Sequence, residues 1–396
     1  MNTETWLIEA RDPLIVRDGR AFDNTPGSRA ASLAFPYPAT TTGGVRTRAG
    51  IGSRGGWRDN DNALSQSVRQ IGVRGPLLAE LQVGEALRFL VPAPADALVL
   101  NTDPVNAKSA DRFQLVPLTI PGDAATNLPD HLRLVGSKIH NPNKAHSKAP
   151  RFWYWEEFKK WLVKPSSDNE PISLTLLGHN GPTGEQRTHV RIDYETKAND
   201  DGGLFQTRGL EFLQVEGDGH SQIRHRLAMV LSVTTPNEFD DKVAAGLAPL
   251  GGERRVVGWR RSAEGLPECP LSVRDAIKNH KTCRLVLLTP AFFEGGFEPT
   301  WLRQADNGIS AELKAIAVGR AQVISGWDFL LKRPKVTRRL TPAGSVLFLN
   351  LQGEGDLDEW ITKMWMQCVS DDTQDRLDGF GLAALGVWDG TYHEVR

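Results

Sequence analysis

The segments of this chain whose residue types suit a chemical task are rich in glycine and arginine. Leu250-Gly251-Gly252-Glu253-Arg254-Arg255 sets two glycines ahead of two arginines. A glycine backbone, lacking Cβ, approaches a phosphate or ribose closely, and successive N–H groups form an anion-binding nest. Arg254 and Arg255 would add charge-assisted hydrogen bonds to phosphate oxygens. The plainer reading of the same glycines is a helix end and a tight turn. Gly43-Gly44-Val45-Arg46-Thr47-Arg48 is a second such segment, expected near a helix N-terminus, where N–H groups and the dipole favour an anion. Equally, Arg46 and Arg48 could cover a helix surface. No Gly-Lys-Ser/Thr follows, so this is no Walker loop.

A third segment is a basic run, Lys332-Arg333-Pro334-Lys335-Val336-Thr337-Arg338-Arg339, five residues after Trp327. A basic loop beside an exposed aromatic holds a single strand by phosphate contact and base stacking, whereas a Trp flanked by strand residues is more commonly core. Near the C-terminus, Gly379-Phe380-Gly381 leads into an apolar strand.

Catalytic and metal signatures are absent. The histidines are scattered, with no H-E-x-x-H or H-x-E…C-x-x-C spacing, and there is no G-x-S-x-G element. A metal-free ribonuclease needs only one or two well-placed general acid–base groups, and that alternative stays open. Cys269, Cys283 and Cys368 are few, odd in number and far apart, which fits a reducing compartment and a cytoplasmic protein. No apolar run approaches the eighteen or so residues of a membrane span, and the start reads as no signal peptide. A net charge of −1 argues against a non-specific nucleic-acid coat but permits a local site, because the basic run is offset by acidic stretches near 354–359 and 371–378.

The elements that must position these residues can be read from apolar patterning in 396 residues, enough for two or three domains. Strands are expected at 6–16, 188–194, 204–215, 227–233 and 256–259, with helices near 40–48 and 237–246. A long polar hairpin tip would span 195–203. In the second half, 283–288, 313–324, 345–351 and 382–388 read as strands, 357–366 as an amphipathic helix, and 301–302 as the start of a short one. Both halves therefore follow strand–helix–strand–strand–helix–strand order, the ferredoxin-like arrangement. The expected class is α+β, with two ferredoxin-like, RRM-related units in tandem. The first would cover 1–265, with a large insertion at about 52–182, and the second 266–396. In each half a glycine loop joins the second helix to the fourth strand.

Taken in order, Ile8-Glu9-Ala10-Arg11-Asp12-Pro13-Leu14-Ile15-Val16-Arg17-Asp18-Gly19-Arg20, the Gly251-Gly252 loop, Gly326-Trp327-Asp328 with Arg333-Pro334-Lys335, and Gly379-Phe380-Gly381 resemble a RAMP-superfamily subunit of type III-B CRISPR–Cas (Cmr) complexes. The match is to the subunit that caps the 5′ handle of the guide RNA. The resemblance implies a non-catalytic role without cofactors. It implies docking on the large polymerase-like subunit, a neighbouring backbone RAMP subunit, and only indirect contact with target RNA. It also likens the hairpin around 189–204, with Arg191 and Lys197, to the protruding hairpins that such subunits use against the guide. Arg17 joins the expected RNA-facing set through the first motif. The runner-up implied by the same family is a metal-independent RAMP endoribonuclease that processes CRISPR precursor RNA.

Overall fold

The computed structural model describes residues 1–17, 32–51, 62–82, 84, 86–102, 108–122, 124–138, 141–165, 171–216, 223–239, 242–328 and 333–394. The protein is α+β, built mostly of antiparallel sheets with few helices. It divides into two compact units. One comprises Met1–Leu87, Gly181–Gly265 and Val323–Arg338; the other comprises Arg88–Asn180, Leu266–Gln322 and Arg339–Arg396.

In the first unit, β1 (Asn2–Ala10) carries Trp6, Leu7 and Ile8, all fully buried. Consecutive apolar residues on both faces mark a strand covered on both sides. It is central: β5 (Ile223–Thr235) flanks it on one side and β7 (Val256–Ser262) on the other, both antiparallel. Beyond β5 lies β2 (Gly72–Leu81), and beyond β7 lies β6 (Gly246–Pro249), again antiparallel. The order β7-β1-β5-β2 has α1 (Pro38–Gly50) connecting β1 to β2.

Two expectations change here. Residues 72–81 were expected inside an insertion, yet they supply a sheet strand. Pro76 argues against a central strand because it cannot donate to the ladder. The register against β5 shifts between Val230 and Ser232, opposite Gly75-Pro76, and this bulge accommodates the proline. Conversely, the strand expected at 188–194 and most of the one expected at 204–215 lie outside the sheet, and only Leu213–Glu216 pairs with β5. The rest forms a separate two-stranded hairpin of β3 (Thr183–Ile192) and β4 (Asn199–Glu211). The expected helix at 237–246 is only a short 3₁₀ turn, Asn237–Phe239. The carbonyls of Ala244 and Ala245 instead accept from the Arg48 guanidinium.

The second unit centres on β8 (Thr282–Leu287), buried along its whole length. Antiparallel β10 (Val346–Gln352) and β11 (Leu382–Gly386) flank it, and β9 (Ser310–Ala317) lies outside β10. The helix α2 (Leu271–His280), which sequence patterning did not reveal, precedes β8. Only Val273 and Ile277 on it are buried, so its apolar face is two residues wide. Between β10 and β11 run α3 (Leu357–Met364) and α4 (Thr373–Leu377), each capped by an aspartate, Asp356 and Asp372, accepting from two backbone N–H groups. The expected helix at 301–302 is one 3₁₀ turn, Thr300–Arg303.

Residues 88–180 group with this unit and are tied to it by a fully buried ion pair, Arg284 of β8 with Asp96. The Arg284 Nε donates to the Val387 carbonyl (2.8 Å) and its Nη2 to that of Trp161 (2.7 Å), while the Trp161 indole donates to Asp96 (3.0 Å). Every polar atom of the pair therefore has work within low dielectric, the condition under which such a pair persists. Asp96→Ala leaves the Arg284 charge buried and uncompensated. We expect a loss of roughly 3–5 kcal/mol in equilibrium urea denaturation.

Candidate nucleic-acid interface

The site in the first unit is organised by residues 13–17, a short strap. Leu14 exchanges both backbone hydrogen bonds with Leu210 at the base of β4 (2.9 and 2.8 Å). The next carbonyl, Ile15, accepts from Gly252 N (2.7 Å), and Val16 accepts from Leu33 N and the Ser32 hydroxyl. One extended segment thus joins the hairpin base to the glycine turn, with exposed Arg17 at its end, bridged to Ser32.

Glycine is required in that turn. Gly251 has φ of +74°, and a Cβ on it would lie 2.6 Å from the Ile15 oxygen. The Gly252 N–H is already engaged by Ile15, so the expected anion nest is not open at that residue. The two arginines diverge. Arg255 folds back, its Nη2 donating to Glu253 at 2.9 Å with the side chain 18% exposed, while Arg254 stays exposed.

The hairpin turns tightly over residues 193–198. Asp193 Oδ1 accepts from Glu195 N, Thr196 N and the Thr196 hydroxyl (3.0, 2.7 and 2.8 Å). The Thr196 bonds hold the Asp193 carboxyl below the usual range. Strand β4 therefore begins at Asn199, within the expected tip. Lys197 takes a left-handed φ of +54°, and its ammonium lies 3.8 Å from the Tyr194 ring centroid. Ile192, Tyr194 and Leu204 are exposed, as is Arg191. His189 stacks on Phe205 (5.1 Å) and bonds Thr207 (2.8 Å). Sequence reading did not single out Tyr194 or this stack. The cross-strand register His189↔Phe205 reveals the stack, and that register is set by a turn whose length was overestimated.

The segment at α1 is corrected. The helix starts at Pro38, a residue suited to the first helical position, so Gly43 and Gly44 lie in its interior and not at its N-terminus. No side chain caps it; Thr41 bonds back to the Pro38 carbonyl. Arg46 donates to the carbonyls of Arg69 and Ile71, and Arg48, besides Ala244 and Ala245, stacks over Trp259 (5.5 Å). These two half-buried arginines engage main-chain carbonyls of the fold. Gly44 is a packing glycine: its Cβ would meet Leu250 Cδ1 at 2.8 Å and the Trp259 ring at 3.0 Å.

Other arginines of this unit are similarly committed. Arg260 and Arg226 bond the two oxygens of Glu9 (2.6 and 3.1 Å). Burial works to raise the Glu9 carboxyl, but the Arg260 bond and the charges of Arg260, Arg11 and Arg226 outweigh it and hold the group below the usual range. In the basic run, Trp327–Asp328 pairs with Arg333–Pro334, and Lys335 N donates to the Gly326 carbonyl (2.8 Å). Arg333, Lys335 and Arg339 are exposed and Arg338 is half-buried; Lys332 lies outside the described residues.

The second glycine loop, in the other unit, is closed. Phe380 is 1% exposed, the Gly379 carbonyl accepts from Thr289 (2.7 Å), and Gly381 N donates to Pro290 O (2.8 Å). A Cβ at Gly381 would lie 2.8 Å from Ser370 N. Gly379, Phe380 and Gly381 are therefore buried in packing contacts and not open to solvent.

The fold and site thus describe an α+β protein with an exposed hairpin and a pinned glycine turn. The family model described as CRISPR-associated protein (Cas_Cmr3) matches residues 6–388, and the chain belongs to this family. This bears out the resemblance to a Cmr-type RAMP subunit. No curated protein matches the chain. Among solved structures, it is similar to a chain of the type III-B Cmr-beta complex bound to cognate target RNA and AMPPnP. The identity is 13%, with 87% of this chain and 86% of that one covered and a TM-score of 0.44. It is also similar to a chain of the Csm3-Csm4 subcomplex of the type III-A CRISPR-Cas interference complex, at 10% identity, 89% and 94% coverage and a TM-score of 0.35. Among the described residues, no helix is long and apolar enough to cross a membrane.

The two helix glycines separate packing from exposure. Gly43 has open space around it, so Gly43→Ala should raise stability by roughly 1 kcal/mol through helix propensity. Gly44→Ala should cost about 1–3 kcal/mol by overpacking against Leu250 and Trp259. Urea midpoints of the two variants measure both.

Proposed function

We propose that this chain is the non-catalytic RNA-binding subunit of a type III-B effector complex that holds the 5′ handle of the guide. The observation that carries the reading is the strap at 13–17. It pins a glycine turn with an exposed arginine and a free-standing hairpin with exposed aromatic and cationic groups onto one backbone segment. Arg254, Lys197 and Tyr194 supply what single-stranded RNA asks for, phosphate charge and a stacking surface. Arg46, Arg48, Arg226 and Arg260 answer internal carbonyls and a carboxylate, which suits a chain of near-zero net charge with one local channel. The strand orders β7-β1-β5-β2 and β11-β8-β10-β9 both support reading the two units as ferredoxin-like. Docking on the large polymerase-like subunit and on a backbone RAMP subunit, with target RNA met only indirectly, belongs to the same proposal.

Fluorescence anisotropy with a handle-bearing guide, and with the same RNA lacking the handle, tests it on the purified chain. Handle-bearing RNA should bind more tightly. Lys197→Ala with Arg254→Ala should lower the slope of log K against log salt by about 0.7 for each lost single-strand phosphate contact. Equal affinity for both RNAs would sink handle recognition. Cleavage of repeat RNA in EDTA, lost on His189→Ala, would instead establish the endoribonuclease reading.

A further inference from the structure

The chain is nearly neutral, with a net charge of −1, yet residues 131–164 of the second unit hold eight lysines and arginines against two carboxylates, Glu156 and Glu157. Both carboxylates are committed. Buried Glu157 accepts from Arg112 on one oxygen (3.0 Å) and from Lys160 on the other (2.6 Å), and Glu156 lies 3.6 Å from Arg88. Lys138, Lys144, Lys148 and Lys159 are exposed and enter no ion pair or side-chain hydrogen bond among the described residues. An ordinary solvated surface intersperses both signs, whereas a surface of one sign attracts an external counter-charge.

Strand pairing gathers these cations around one small sheet. Strand Ala97–Asn101 runs antiparallel to Ser109–Thr119, with Asn101 opposite Ala110 and Ala97 opposite Gln114. On the other edge of Ala97–Asn101, Asn101 N donates to the Lys144 carbonyl (3.0 Å) and His146 N to that of Val99 (2.9 Å). Lys148, whose N donates to His146 Nδ1 (3.1 Å), follows two residues later. Strand Leu134–Ser137 pairs with 115–118 of the long strand, and Lys138 is the next residue. Exposed Lys108 precedes Ser109 at the Asn101 end. At about 4.8 Å between strands and about 3.4 Å per residue, Lys108, Lys138, Lys144 and Lys148 fall within roughly 25 Å of one another.

We propose that this lysine-bearing sheet is a second nucleic-acid surface, carried by the second unit, which holds the phosphodiester backbone of single-stranded RNA without reading its sequence. It shares no residue with the hairpin or the glycine turn of the first unit. The residue types decide between an RNA and a protein as ligand. Protein interfaces are depleted in lysine and centre on apolar or aromatic anchors. Here the exposed residues between the lysines include Ser137, Pro142, Asn143 and Ser147, and Leu134 is the one exposed large apolar residue among the described residues of 131–164. Lysine ammonium groups meet phosphates as point charges, and such contacts supply affinity without base selectivity. The inference rests on the chain being an RNA-binding subunit and not on recognition of the handle.

The test is fluorescence anisotropy on the full chain over a salt series, with handle-free oligouridylate and with a handle-bearing guide. Lys138→Gln with Lys144→Gln and Lys148→Gln changes exposed positions only, so its urea midpoint should match the wild type. Its affinity for both RNAs should fall by a common factor of about ten at roughly 0.1 M salt, with the slope of log K against log salt lower by about 0.7 per lost contact. Arginine at the same three positions should restore the slope. Unchanged affinity and slope in the folded glutamine variant, or a loss confined to the handle-bearing guide, would each overturn the proposal. So would displacement of oligouridylate by polyglutamate as readily as by RNA, which would assign the surface to an acidic protein. Equal wild-type affinity for the two RNAs would sink handle recognition alone, and the glutamine variant would still decide this surface. Absence of any salt-dependent RNA binding by the wild type would remove both.

Discussion

The hydrogen bond from Gly252 N to the Ile15 carbonyl is the constraint on which the candidate site depends. A backbone carbonyl in a buried strap needs a partner, and here the partner is a turn that only glycine lets approach. Because Leu14 is paired in the same strap to the base of the hairpin, a displacement of either loop would break bonds made by adjacent residues. The hairpin and the glycine turn are therefore positioned by backbone chemistry, and their side chains are left to vary in task.

Charge follows the same logic. Arginine is abundant around the first sheet, but Arg46 and Arg48 cap carbonyls that have no helical partner, and Arg226 and Arg260 neutralise Glu9. Such groups satisfy buried acceptors and add little to an external field. In the second unit, Arg284 is the extreme case, a guanidinium spent wholly on Asp96 and on main-chain oxygens.

Much of the frame was legible from residue order. The apolar runs around Trp6-Leu7-Ile8 and in β8 announced strands, and apolar residues at helical spacing announced α3. β2 was hidden by Pro76, whose cost is absorbed by a bulge of Gly75-Pro76 opposite Leu231 of β5, which no local rule anticipates. The helix α2 was hidden because two buried residues make too narrow a stripe. At α1 the glycines were expected near the helix N-terminus, but proline begins the helix earlier and places both in its interior.

By itself, then, the sequence determined the α+β class, the family, and the identity of the glycine turn in the candidate site, because glycine, proline and apolar periodicity act through local sterics. Tertiary structure alone decided which arginines are available. Arg254 and Arg255 are indistinguishable as letters, and so are Gly251-Gly252 and Gly379 with Gly381. Whether each is turned toward solvent or consumed by a distant carbonyl or carboxylate depends on partners remote in the chain, such as Ile15, Thr289 and Ser370, which local periodicity does not encode.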